Sequence, residues 1–417
     1  MVITRRNNYE QRGAHDDVSE SHTITRPPDL VPFTTLSETL VEKRLRWSSL
    51  LHAHEYQTVI TQVLAEEMPK YSRSSVIPAS MSTIMRECVL ILASAPIIFT
   101  AAVDGLLASQ FQTSEHLQRE YSEIQSRANV QPSIYIHLLA DSNGVAPSAN
   151  QYMLIRDIVL RYVSNVEPDP VLSHLIDNIS PPAVSMSSAI QGYRKYLWTR
   201  RLSPGRVATM FRFCAGVEAR CIETPEQQRD TPFLHPPGEC GYALNSHTRL
   251  RQHRRRQSSN YVMNLVEDIC THLYTSGILP AKFLMHQFII YLIFKPEQVR
   301  IAEMFCSGLL QVWVENGGGF NHWPAGLSCA SGERVTWAEW REHERRVKEG
   351  SGLERTLGRL RERASAVVSE LEEEEGECWR RALESGSEDE EMHDAKDGDY
   401  EPGSGDEERV WTRSNDE

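Results

Sequence analysis

The sequence lacks the motifs that identify most enzymes. It contains no GxxxxGK[ST] loop, and the run Gly317–Gly319 lacks the strand before it and the lysine after it that a phosphate-binding loop needs. His54-Glu55 is followed by Thr58 where a zinc-protease motif has its second histidine. The stretch Gly326–Ala330 departs from GxSxG in its last residue and lies in predicted helical surroundings. We therefore predict no catalytic residue and no cofactor.

Paired cysteines and long apolar runs are also missing. The eight cysteines are scattered without a CxxC pair, which favours reduced thiols in the cytosol or nucleus over a secreted disulfide scaffold. The N-terminus has no apolar segment typical of a signal peptide. The apolar runs Val89–Val103 and Phe283–Phe294 are shorter than the roughly 20 residues of a membrane-spanning helix. We expect a nuclear or cytoplasmic protein that does not contact membranes.

Negative charge is concentrated at the C-terminal end. The 417 residues have a net charge of −13, and residues 370–417 hold 20 acidic and 5 basic residues, a net of −15. The rest of the chain therefore carries +2, since −13 minus −15 is +2. The acidic, apolar-poor composition of residues 385–417 predicts a disordered tail, and the polar, proline-containing residues 1–36 predict a disordered arm.

Helical periodicity dominates the intervening chain. Capping-box sequences occur at Ser148–Gln151 and Thr336–Glu339, and no long alternating β-branched run is present. We predict an all-α fold with an irregular helical core over residues 37–330, and a subdivision near residue 181 remains open. The predicted helices of the second half are 186–201, 204–219, 259–276, 281–294 and 296–314. Residues 224–245 are rich in proline and glycine and are predicted to form a loop.

A charged helix is predicted over residues 336–384. Its apolar residues recur at spacings of four and three, as in a coiled coil: Leu353, Leu357, Leu360, Ala364, Val367 and Leu371. The pattern lasts only about three heptads, which favours an amphipathic helix lying on the core. A short coiled coil that pairs with another helix remains the alternative.

Positive charge is concentrated in Gln191–Arg256, which contains 13 basic and 5 acidic residues, a net of +8. Its end carries the cluster Arg249, Arg251, Arg254, Arg255 and Arg256. Such a cluster can bind nucleic-acid phosphates or a nuclear-import receptor. The simplest interpretation is a solvated helix face, and all three interpretations stay open.

The same region contains half of a zinc-finger pattern. Cys240, Leu244, Leu250 and His253 fit the second half of a two-Cys, two-His finger, but the first cysteine and last histidine are absent. Four side chains can supply zinc ligands in principle: His235, Cys240, His247 and His253. Their spacing matches no standard closed site, so we predict a loop and helix without metal.

The stretch Thr231-Pro-Phe-Leu-His-Pro-Pro-Gly-Glu-Cys-Gly-Tyr-Ala-Leu244 resembles a segment of the accessory mating-type proteins of filamentous ascomycetes. These proteins are encoded beside the alpha-box gene, and their segment is described by a His, a Pro and a Gly. The corresponding residues are His235, either Pro236 or Pro237, and Gly238, with Cys240 and Tyr242 in the same segment. The similarity covers about Arg194–Arg256, under a quarter of the chain.

The resemblance implies a non-enzymatic regulator of fertilisation and of fruiting-body and ascospore formation. Such a protein acts through regulatory partners, other mating-type products among them. Two further hypotheses remain. One is a DNA-binding transcriptional regulator that uses the basic Cys/His segment, and the other is an enzyme without a recognisable motif.

Overall fold

The computed structural model describes residues 38–72, 74, 77, 80–257, 260–366 and 377. Most of these residues are helical. The α-helices are α1 Leu40–His52, α2 Tyr56–Glu67, α3 Met81–Ala93, α4 Ile97–Val103, α5 Leu107–Gln110, α6 Glu115–Arg127, α7 Ala149–Val163, α8 Pro170–Asp177, α9 Met186–Ile190, α10 Pro204–Glu223, α11 Ser246–Arg254, α12 Tyr261–Thr275, α13 Gln298–Leu309, α14 Trp337–Gly350 and α15, residues 353–366. Short 3-10 helices occupy Met68–Tyr71, Glu226–Gln228, Val314–Asn316 and Ala330–Arg334. The predictions for residues 1–36 and 385–417 lie outside the described residues.

A three-stranded antiparallel sheet shows that the prediction of a purely all-α fold is wrong. Its strands are β1 Ser133–Ala140, β2 Gly238–Ala243 and β3 Leu284–Leu292, in the order β2-β1-β3. Residues 224–245, predicted as loop, contain β2. Residues 281–294, predicted as helix, contain β3. The mostly helical character is confirmed.

The central strand lacks an alternating pattern because it is buried on both faces. All eight residues of β1 are buried, and six of them are apolar. Helices α4, α6 and α12 contact β3, and α13 contacts β1 and β2. A sheet covered on both sides has continuous apolar runs, which resemble a buried helix more than a half-exposed strand.

Local capping signals predicted helix starts well. The side chains of Ser148 and Thr336 both form capping boxes, at the starts of α7 and α14. The predicted helix 186–201 is too long, because α9 ends at Ile190 and Gly192 follows with φ of +89°. A left-handed residue at this position ends the helix.

The apolar run Val89–Val103 falls into α3 and α4, which are separated at Pro96. Among the described residues, no single helix combines the length and hydropathy of a membrane span. Taken together, α3 and α4 reach both values, but they are bent by 107° at the break. Much of this pair is buried in the core, including Ile91 and Phe99, each fully inaccessible.

Two apolar clusters form the core. The larger cluster includes residues of α1–α4, β1, β3 and α13, and the smaller includes residues of α7, α10 and α12. Leu139 of β1 belongs to the smaller cluster, whereas its neighbours Leu138 and Ala140 belong to the larger. Both clusters contain residues from before and after residue 181.

The described part of the leucine seam faces the chain's own core. Leu353 is buried in the larger cluster, and Leu357 and Leu360 are half-buried against it. Ala364 is exposed, and Val367 and Leu371 lie outside the described residues. In this part, α15 therefore lies on the core as an amphipathic helix.

Candidate functional site

An open cleft of about 1330 Å³ lies beside β2. Its walls come from β2, the first half of α10, α11 and residues 321–334. Four arginines line it: Arg206, Arg212, Arg249 and Arg334. The acidic residues in its lining are Glu239 and Glu303, so the formal charge of the lining is positive.

The charged residues that line the cleft differ in their contacts and in their exposure to solvent. The Arg206 guanidinium lies 4.6 Å from the centre of the Tyr261 ring and donates to the Tyr196 and Trp198 carbonyls. Arg334 is exposed, and burial raises the pKa of Glu303, which weakens its tendency to carry negative charge. Trp323 adds an indole that is 74% exposed.

The segment that resembles the mating-type proteins leads into β2. His235, Pro236, Pro237 and Gly238 are all buried. The Pro237 carbonyl accepts a hydrogen bond of 2.8 Å from Leu139 N, and Phe320 N donates to the Gly238 carbonyl at 2.8 Å. These bonds attach the segment to β1 on one side and, on the other, to the residue that follows the glycine-rich loop Gly317–Gly319.

Two buried arginines surround the start of this segment. Arg220 Nη2 donates to the His235 carbonyl at 2.7 Å, and Arg220 Nη1 donates to the Gly317 carbonyl at 3.0 Å. Arg44 Nη2 donates to the Ala102 carbonyl at 3.0 Å. Burial first, and then the charges of Arg44 and Arg220, lower the pKa of His235 to about 2. A neutral imidazole is therefore built into this part of the core.

Cys240 and Tyr242 have different surroundings. Cys240 is buried in the larger apolar cluster, where burial holds the pKa of its thiol well above the ordinary value. Its backbone N–H and carbonyl bond the Asn321 side chain, each at 3.0 Å. Tyr242 lines the cleft, and burial raises its pKa to about 12. The raised pKa keeps the Cys240 thiol protonated, and a protonated thiol is a poor nucleophile.

The arginines predicted as one basic patch separate on folding. Arg256 pairs with Glu267 and with Asp268, and Arg249 Nε donates to Tyr135 Oη at 3.3 Å. Arg251, Arg254 and Arg255 are exposed at the end of α11. Arg254 Nη1 also donates to the Gln287 side chain at 2.7 Å.

The four candidate zinc ligands of the sequence are not brought together. His247 is exposed and its Nε2 lies 2.7 Å from the Gln125 carbonyl, whereas His235 lies beside Gly105 and Arg220. Within the described ranges, the group with ligand atoms close enough to hold a metal ion is His137, Glu239 and His253. Glu239, the residue before Cys240 in β2, supplies the carboxylate of this group.

The register of the sheet creates this group. His137 of β1 is directly opposite Glu239 of β2, so both side chains point to the same face. His137 Nδ1 lies 2.7 Å from Glu239 Oε2, and His253 Nδ1 of α11 lies 3.9 Å from the same oxygen. The two imidazole rings are 4.4 Å apart between centroids. All three side chains are buried.

Sequence reasoning missed His137, Tyr135, Asn260 and Trp323. The sequence does point to His137, because no other histidine and no acidic residue occurs in the apolar run Ser133–Ala140. A histidine in a fully buried strand needs polar partners. Its partners are distant in sequence and could not be identified before the strand pairing was known.

Comparison with known proteins identifies no relative. The chain matches no family model, no curated protein and no solved structure.

Proposed function

We propose that this chain is a non-enzymatic regulator of fungal sexual development that acts by binding protein partners in the nucleus or cytoplasm. The biological role rests on the resemblance of Thr231–Leu244 to the accessory mating-type proteins. The mode of action rests on one structural observation. An open cleft beside that segment is lined by arginines and carries an exposed tryptophan at position 323.

The chemistry of the cleft suits an acidic segment of a partner with an apolar anchor. Tryptophan and arginine are the residues that most often dominate binding energy at protein interfaces. Arginine also binds carboxylates through two parallel hydrogen bonds. Positive potential in a concave surface increases the rate at which an acidic partner associates. Such a partner is expected among the other mating-type products.

Deleting the gene is expected to leave vegetative growth unchanged and to block the sexual cycle. The reason is that the proposed regulatory role belongs to the sexual cycle, and vegetative cells do not need it. Fertility is measured by the number of fruiting bodies and viable ascospores in crosses. A deletion strain with normal fertility would refute the biological role.

The double variant Trp323→Ala/Arg334→Glu is expected to fail to restore fertility to the deletion strain. Loss of one interface anchor costs about 2 kcal/mol or more, which is about a 30-fold weaker affinity. Both side chains are exposed, so the fold should be retained. Immunoblotting of the variant checks that its amount equals that of the wild type.

Two control variants separate the cleft from other surfaces. Trp337→Ala/Arg341→Glu changes an equally exposed tryptophan, 72% accessible, and an exposed arginine on α14, and it should restore fertility. The triple alanine variant of Arg251, Arg254 and Arg255 leaves the Arg256 ion pairs intact and should also restore it. Loss of fertility in the triple variant alone, together with loss of DNA binding, would favour the DNA-binding regulator instead.

A further inference from the structure

A buried cluster of polar side chains lies where β1, β2 and α11 meet. The ligand atoms of His137, Glu239 and His253 all lie within 4.8 Å of one another. We propose that these three residues bind one divalent first-row transition-metal ion, such as zinc. Two imidazoles and one carboxylate are ligands of this class of metal, and zinc sites of this composition keep a further position for water.

Unpartnered polar atoms are the first argument for a metal ion. In the described residues, four buried atoms of this cluster lack a hydrogen-bond partner: both ring nitrogens of His137, His253 Nδ1 and Glu239 Oε2. Two of these atoms, His137 Nδ1 and Glu239 Oε2, lie 2.7 Å from each other, which leaves the ring nitrogens His137 Nε2 and His253 Nδ1 without a close polar partner. Buried polar atoms are usually paired, because an unpaired one costs about 1–3 kcal/mol. A cation among them satisfies several at once.

Metal ions of this class bind neutral imidazole nitrogens and ionised carboxylates, so binding releases any protons that these groups carry.

The surrounding side chains hold two of the ligands in place. Tyr135 Oη lies 3.2 Å from His253 Nε2, and Asn260 Nδ2 donates to Glu239 Oε1 at 3.2 Å. Arg249 Nε also donates to Tyr135 Oη. When His253 Nε2 carries the ring proton and donates to this oxygen, Nδ1 is left with its lone pair directed at the cluster. Outer hydrogen bonds of this kind are typical of histidine metal ligands.

The cluster has routes for an ion to enter. Glu239 and Asn260 line the large cleft, and His253 lines a second cavity of about 650 Å³. The ion would therefore lie between two openings. This position also connects the two sheet strands to α11, so bound metal is expected to stabilise the fold.

Titration of the purified full-length chain with zinc, after treatment with a chelator, tests the proposal. We expect one bound ion per chain and a higher melting temperature with zinc than without it. The Glu239→Gln and His253→Gln variants should bind at least about 100-fold more weakly, and Tyr135→Phe about 10-fold more weakly, as changes around metal ligands do. His247→Gln, on α11 but exposed, should bind like the wild type.

Cobalt substitution covers the case in which a ligand variant does not fold. Cobalt bound by two imidazoles and a carboxylate gives visible d–d bands without the near-ultraviolet thiolate-to-metal band of a cysteine site. The seven described cysteines are free. If any of them bound the cobalt ion, the thiolate-to-metal band would appear. The proposal is overturned if the folded wild type binds no zinc, if a thiolate band appears, or if Glu239→Gln binds as tightly as the wild type.

Discussion

Replacing Arg220 with methionine is expected to lower the free energy of unfolding by about 3–5 kcal/mol, because hydrogen bonds to charged donors contribute about 1.5–3 kcal/mol each. The guanidinium is 2% exposed and donates to the Gly317 and His235 carbonyls. It also lies 3.7 Å from the centre of the Phe233 ring. Methionine fills much of the volume but leaves both buried carbonyls without their donor.

Urea unfolding of the full-length chain, followed by circular dichroism, measures this loss. Arg212→Met provides the matched control on the same helix. The side chain of Arg212 is 47% exposed, and both its ion pair with Glu315 and its hydrogen bond to the His322 carbonyl are at the surface. Exposed ion pairs contribute about 0–1 kcal/mol, so this change should be small. Equal losses in the two variants would contradict a special role for Arg220.

The position of Arg220 gives a physical meaning to the segment that resembles the mating-type proteins. One side chain of α10 ties the start of that segment to the glycine-rich loop at residues 317–319. The loop then pairs with the segment through the Gly238–Gly319 bridge. A Cβ on Gly319 would approach the Gly238 carbonyl oxygen to 1.8 Å, so only glycine allows this close contact. Residues 235–238 of the segment are therefore a buried connection between α10, the glycine-rich loop and β1.

The sequence predicted the helices much better than the strands. Helix signals are local: the capping boxes at Ser148 and Thr336 lie within four residues, and both form as predicted. The strands β1 and β3 pair across 144 residues between Ala140 and Leu284, a separation that no local pattern encodes. Burial on both faces also removed the alternation by which a half-exposed strand is recognised.

Of the three residues proposed to bind metal, Glu239 is one position from the candidate Cys240, and His137 was not a candidate. Cys240 and His253 were two of the four side chains that could in principle supply zinc ligands, although their spacing predicted no metal. Adjacent residues of a strand point to opposite faces. Cys240 therefore packs into the apolar cluster, and Glu239 faces His253. His137 lies 102 residues before Glu239 in the chain and meets it only through the register of β1 and β2. Knowledge of that register is what converts scattered histidines into a site.

Acidification is expected to destabilise the protein through His235, starting near pH 6.5. The pKa of this buried imidazole is lowered to about 2, whereas an imidazole in the unfolded chain titrates at its ordinary value of 6.5. Below pH 6.5 the unfolded chain therefore binds a proton that the folded protein does not. His235 does not lower the free energy of unfolding above pH 6.5. Between pH 6.5 and pH 2, the free energy of unfolding falls by about 1.4 kcal/mol per pH unit.

A comparison of slopes isolates this effect from the other groups that titrate in acid. Between pH 6 and pH 4, the free energy of unfolding of His235→Gln should fall less steeply than that of the wild type. The two slopes should differ by about 1.4 kcal/mol per pH unit, which corresponds to one proton. The His247→Gln variant, which removes an exposed imidazole, serves as the control. The absolute stability of His235→Gln at pH 7 does not enter, because only the change with pH is compared. If His235→Gln and the wild type have the same slope, His235 does not stay neutral in the folded core. Burial beside Arg44 and Arg220 would then not lower its pKa.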